Sequence, residues 1–222
     1  MPSIMNRASV ALLLSTAMVF GRDANAQMPA SPLLQNAFAN PGITAAVNIS
    51  SLRSASSYSV AGAWAPGTAR FQFSAGVGAQ TRSGSPTRTV YGFRFNIPLL
   101  GESSNFGASI FAGYGGLSGS GIDSSTARYL IPAGATFGYR AALGGNHGFS
   151  IYGSPIYESV GRGGGASTVS VFRGAVGIDF GVTSSIGLTL GLEFGGSQSA
   201  ESGKPSGTAF GAAFSYAIGG GR

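Results

Sequence analysis

Between Phe71 and Ile218 the chain repeats one short pattern, in which every second position is apolar and the positions between hold Gly, Ser, Thr, Asn, Gln or an isolated charge. The cleanest run sets Ile186, Leu188, Leu190, Leu192 and Phe194 against Gly187, Thr189, Gly191, Glu193 and Gly195. Successive side chains of a strand point to opposite faces, so each run presents one apolar and one polar face. Segments of roughly ten residues with this alternation, separated by turn residues, are what a sheet needs to cross a bilayer as a closed barrel. A secreted β-sandwich or solenoid is the rival reading. An outward row of Phe93, Phe95 and Ile97 is too apolar for the solvated sheet that this rival requires.

Runs of consistent parity predict an all-β fold, an antiparallel up-and-down transmembrane barrel of ten strands. They are Ile43 to Ile49, Tyr58 to Ala65, Arg70 to Gln80, Thr89 to Ile97, Phe106 to Gly115, Tyr129 to Ala141, Phe149 to Glu158, Val169 to Gly181, Ile186 to Gly195 and Thr208 to Ile218. The first is the weakest, and eight strands are the fallback. An even number puts both termini on the periplasmic side. Short turns are then expected at Ala65 to Ala69, Leu99 to Ser104, Ala142 to Gly148 and Val182 to Ser185. Longer outer loops are expected at Ser50 to Ser57, Thr81 to Arg88, Gly116 to Arg128, Ser159 to Thr168 and Gly196 to Gly207.

The first 26 residues support export. Arg7 gives a basic start, Ala8 to Phe20 an apolar core, and Ala24-Asn25-Ala26 a small-x-small cleavage site before Gln27. An apolar stretch of this length is too short to span a bilayer, which takes about 20 residues. The predicted organisation is a signal peptide (1–26), a periplasmic N-terminal segment (27–42), the barrel (43–218) and a short tail (219–222). Export without a helical span fits the outer membrane of a Gram-negative-type bacterium. Removing Arg7, Arg22 and Asp23 with the leader from the 13 basic and 7 acidic residues leaves an excess of five positive charges. Along the sequence that excess is spread rather than clustered, which speaks against nucleic-acid binding.

Parity turns Arg94, Arg140, Arg173, Glu158, Asp179 and Glu193 into the lumen, three of each sign. An Arg facing lipid at mid-depth would cost about 2 to 4 kcal/mol. Arg173 and Glu193 lie on strands joined by the turn at Val182 to Ser185, so an internal ion pair is expected. Ser74, Gly76, Gly78, Gly107, Gly113, Gly134, Gly138, Gly211 and Ala213 also face inward. These small residues leave open a narrow water path, a small ligand cavity or walls that approach each other. The same parity turns Tyr58, Tyr91, Tyr114, Tyr129 and Tyr157 towards lipid near outer strand ends, and Trp64, Tyr139 and Tyr216 near periplasmic ends. Amphipathic rings in two girdles match the two membrane interfaces. Tyr152 alone falls on the lumen face. Pro132 and Pro155 predict a bulge or an early end to pairing near the outer rim.

Catalytic parts do not assemble in the sequence. His147 is the single histidine and sits in the turn Asn146-His147-Gly148, and there is no cysteine. A metal site or a Ser-His-Asp arrangement therefore lacks components, and no cofactor is expected. Asp123 and Glu201 occupy different outer loops, the normal background for loop carboxylates. The stretch Gly161 to Gly165 lacks the Lys-Ser/Thr and the helix of a phosphate loop. Gln27 to Pro41 reads as a disordered periplasmic tail, with a short helical turn plugging the lumen as the alternative.

These features resemble the small outer-membrane β-barrel superfamily, which includes the OmpA-type, OmpW-type and Opa-type barrels. The resemblance covers Ile43 to Ile218. Gly211-Ala212-Ala213-Phe214-Ser215-Tyr216 is similar to the Gly-x-x-aromatic-x-aromatic insertion signal of such proteins, with Gly211, Phe214 and Tyr216 in the key positions. Ala209 stands where a polar residue is usual, and the chain runs on past the last aromatic. The resemblance implies outer-membrane lipid and the barrel-assembly machinery as partners, and a structural or surface-interaction role. A narrow channel or carrier for small solutes is the alternative function.

Overall fold

All ten runs form strands in the computed structural model, which describes residues 37–38, 41–52, 55–68, 70–100, 104–119, 127–144, 147–162, 168–195 and 208–218. They are β1 (Gly42–Leu52), β2 (Ala55–Ala65), β3 (Gln72–Arg82), β4 (Ser85–Pro98), β5 (Phe106–Ser118), β6 (Ala127–Gly144), β7 (His147–Arg162), β8 (Val169–Gly181), β9 (Ile186–Gly195) and β10 (Ala209–Ile218). Each pairs antiparallel with its sequence neighbours, and β1 also pairs with β10, closing the sheet. Closure removes the sandwich alternative. The run predicted as weakest, β1, holds its place because both edges are occupied, with Val47 opposite Val60 on one side and Phe214 on the other.

The register fixes the slant of the strands. From Val47 the paired residues lead through Val60, Val77, Tyr91, Gly116 and Tyr129 to Gly161 on β7. In the other direction they lead through Phe214, Leu188 and Phe180 to Phe149, 12 residues earlier on the same strand. A stagger of that size over ten strands corresponds to a tilt of roughly 40°, within the ordinary range for closed barrels.

The end where β1 begins and β10 finishes is termed the terminal end, and the opposite one the distal end. Two predicted outer loops turn out to be tight. Only residues 53–54 separate β1 from β2, and only Ser83 and Gly84 separate β3 from β4, because these strands run further than their apolar alternation indicated. Gly84 takes a φ of 72°, a left-handed conformation open to glycine at little cost. The long distal connections are confined to β5–β6, β7–β8 and β9–β10.

The prolines also behave differently from expectation. Pairing of β6 with β5 stops at Ala133 and resumes at Leu130 in the same register, so the gap spans Pro132. Pairing of β6 with β7 stops at Ile156 and resumes at Gly153, spanning Pro155. Neither proline ends a strand or shifts the ladder there, because each lacks a single N–H and therefore a bond to one neighbour only. The register shifts fall instead near strand ends, at Gln80/Arg82, Ala127/Tyr129 and Ala142/Gly144.

The distribution of polarity is inverted relative to a water-soluble protein. Outward positions expose Val60, Val77, Phe93, Phe137, Phe172, Leu192, Phe214 and many more large apolar residues. Inward positions bury Asn48, Ser57, Ser59, Ser74, Gln80, Arg94, Asn96, Ser109, Thr136 and Ser154. Ordinary globular surfaces carry scattered apolar residues, whereas here they form a belt around the whole barrel.

Candidate functional site

The candidate site is the interior, and β7 reads its full height. From the terminal end its inward residues are Ser150, Tyr152, Ser154, Ile156, Glu158 and Val160, all buried. They run through successive layers of contacts.

Lowest, Ser150 donates to Asp179 Oδ2 at 3.0 Å, and Thr189 donates to Oδ1 of the same carboxylate at 2.6 Å. The carboxylate thus has a hydroxyl on each oxygen, which offsets part of the cost of removing it from water. Above it, Tyr152 lies across β8 towards β9. A Cβ at Gly177 would run into the Tyr152 ring, and one at Gly191 would stand 3.3 Å from its hydroxyl.

The next layer is built on Arg94. Its guanidinium stacks on the Phe111 ring, 3.5 Å from the centroid, and donates to Asn96 Oδ1 at 3.4 Å and Thr136 Oγ1 at 3.5 Å. Thr136 is linked in turn to Ser154 at 2.7 Å. A delocalised, weakly hydrated guanidinium tolerates an aromatic face better than an ammonium would. Phe111 packs with Ile156 and Ala175 on its other contacts.

Arg173 then ties three strands together. Its Nε donates to Glu193 Oε1 at 2.5 Å and lies 3.8 Å from Glu158 Oε2, while Nη1 donates to the Gly195 carbonyl at 3.2 Å. Glu193 is 1% exposed, so the pair is dry. In the register Arg173 faces Gly195 and Ala175 faces Glu193, so the ion pair is diagonal. Arg173 thus reaches carboxylates on both neighbouring strands. At the distal end Val90, Leu117, Leu130, Val160 and Val171, from five consecutive strands, close over it as an apolar cap.

The inward glycines now have a physical account. A Cβ at Gly134 would meet the Phe111 ring at 2.9 Å, and one at Gly107 or Gly138 would meet Phe38 at 2.6 or 3.3 Å. Gly113 faces the backbone of β4 at Phe93 and Arg94, and Gly76 that of β2 at Val60 and Ala61. These residues are small because neighbouring rings and strands lie against them. Phe111 and Phe38 thus cover Gly134, Gly107 and Gly138, while Gly76 and Gly113 lie against the strands they pair with.

One interior charge was missed by the sequence reading. Arg88, assigned there to a loop, is an inward, buried residue of the extended β4. The interior therefore has four arginines to three carboxylates among the described residues. Phe38 belongs to the segment read as a tail, with a plugging turn as the alternative. Ala37 is buried and the Phe38 ring lies under Arg140, whose guanidinium carbon is 4.7 Å from its centroid. At these two residues the tail reading is corrected: they occupy the terminal mouth of the barrel. The cause is the notch left by Gly107 and Gly138, which one aromatic ring fills.

The remaining predicted residues fall as follows. Tyr58, Trp64, Tyr91, Tyr157 and Tyr216 are exposed on the outer face, and Tyr114, Tyr129 and Tyr139 are half-buried there by their neighbours. Tyr114 lies between Tyr91 and Tyr129, with centroids 6.4 and 6.2 Å away. At the other end Phe106 meets Tyr139 at 5.1 Å, and Trp64 meets Phe71 at 5.5 Å. Gly211 faces inward, and Phe214 and Tyr216 point outward from β10. His147 is exposed at the start of β7. The signal peptide, the tail after Ile218, Asp123 and Glu201 lie outside the described residues.

No protein-family model matches the chain, and no curated protein matches its sequence. The class rests on the fold itself: a closed, ten-stranded, antiparallel up-and-down β-barrel.

Proposed function

We propose that this chain is an outer-membrane β-barrel protein with a structural or surface-interaction role, whose filled interior serves stability rather than conduction. The observation that carries the reading is the inverted polarity: a belt of exposed Val, Leu, Ile and Phe outside, and buried Asn, Ser, Thr and paired charges inside. A bilayer is the environment in which that outer surface is favourable, at about 25 cal/mol per Å² of apolar area kept from water. Tyr and Trp gathered towards the two ends of the belt are what membrane interfaces favour. The outward Phe214 and Tyr216 of the closing strand support recognition by the barrel-assembly machinery. The leader supports export to that membrane, and the resemblance to OmpA-type, OmpW-type and Opa-type barrels agrees with it. No catalysis is assigned.

Two measurements test this. Purified in mild detergent, the protein should migrate differently on a denaturing gel before and after boiling. In planar bilayers it should give no reproducible conductance steps, because Phe111, Arg94, Tyr152 and the distal valines lie across the path. Steps that disappear when Gly76 or Gly134 is made bulky would establish the channel alternative instead.

A further inference from the structure

We propose that the distal rim docks the phosphate-bearing headgroups of membrane lipids, a reading that rests on the membrane placement proposed above. Along the sequence the positive excess is scattered, but the topology gathers it. Arg82 ends β3, Arg128 is second in β6 and Arg162 ends β7. Three arginines of the described strands thus sit at one end of the barrel. Among the described residues the terminal end carries Arg70, and the interior charges nearly balance.

The second observation is what lies beside these cations. Arg128 adjoins Tyr129, the edge of the contiguous Tyr91, Tyr114 and Tyr129 rings on the outer face. Such rings mark the level where an apolar belt gives way to headgroups, and a cation just beyond them stands at the depth of lipid phosphates. Arg82 and Arg128 are exposed, unlike Arg88, which turns inward. A guanidinium offers a planar fork that matches two phosphate oxygens, which zwitterionic choline headgroups present less freely. A nucleic acid or an acidic peptide would meet the same charge but gain nothing from the apolar belt directly beneath it.

The test uses the full mature chain in neutral detergent, titrated with short-chain phosphatidic acid and with phosphatidylcholine of the same chain length. Phosphatidic acid should bind more tightly. Arg82→Gln and Arg128→Gln should each weaken that preference by about fivefold, the effect of one cation near an anionic surface, and raised salt should weaken it too. Arg70→Gln, at the other end, should leave it unchanged. Equal binding of the two lipids, or an equal loss in Arg70→Gln, would overturn the proposal. So would equally tight binding of inorganic phosphate or a short oligonucleotide, which would make the rim a general anion site. Failure to insert into neutral vesicles would overturn the membrane placement and this proposal with it, whereas insertion without phosphate preference would overturn this proposal alone.

Discussion

Arg173 holds two carboxylates at once, and that stoichiometry ranks the consequences of removing each partner. Glu193→Ala leaves a one-to-one pair of Arg173 with Glu158, so it should cost about 1.5 to 3 kcal/mol, the range for a hydrogen bond to a charged group. Arg173→Met leaves two buried carboxylates beside each other and should cost more, towards the roughly 3 to 5 kcal/mol of a broken buried pair. Urea unfolding of the refolded protein in detergent reads both values, and a Glu193→Ala protein as unstable as Arg173→Met would contradict the shared-cation account. The proximity of Arg173 to Glu193 was legible in sequence because a four-residue turn fixes which strands adjoin and parity fixes the face. Glu158 as the second partner was not, because it comes from the opposite neighbour of β8 and depends on how far the Arg173 side chain reaches. The inward glycines were legible as small and inward but not as covered, since rings such as Phe111 and Tyr152 reach across to other strands.

At the level of elements, alternation located every strand and failed at the strand ends. The bounds of β8 and β9 were legible in full because apolar alternation runs to their last residues. β1, β2, β3 and β4 extend into Ser, Thr and Arg stretches whose alternation is polar on both faces, so no hydropathy signal marks them. Gly84 and Gly67 separate conformation from space. A Cβ at either meets nothing within 4 Å, but only Gly84 has a φ in the left-handed region. Gly84→Val should therefore destabilise by about 1 to 2 kcal/mol, while Gly67→Val should change stability by much less. Comparable denaturant midpoints for the two variants would contradict this. Phe38 belongs at this scale too, because it joins the segment before β1 to β5 and β6. Phe38→Ala removes a ring that fills the Gly107 and Gly138 notch and stacks on Arg140, an interaction of about 0.5 to 2 kcal/mol before packing is counted. Its unfolding midpoint should fall, and protease cleavage before β1 should become faster in the folded protein. An unchanged cleavage rate would show that the ring does not tether the segment.

For the whole molecule, stagger, closure and inverted polarity are one consequence of a single pattern. Ten tilted strands enclose a narrow interior, which side chains from β4 to β9 fill with alternating polar and apolar layers. What remains outside is a continuous apolar belt, which the proposed placement turns towards lipid. Trp64 is the single tryptophan, exposed on the outer face near the terminal end. It reports the environment of the belt without any substitution. Refolded into vesicles whose acyl chains carry bromine at different depths, the protein should show Trp64 fluorescence quenched by lipid, most strongly when bromine sits near the headgroups. Emission that no brominated lipid quenches, with free access for iodide from the water, would contradict a lipid-facing outer surface.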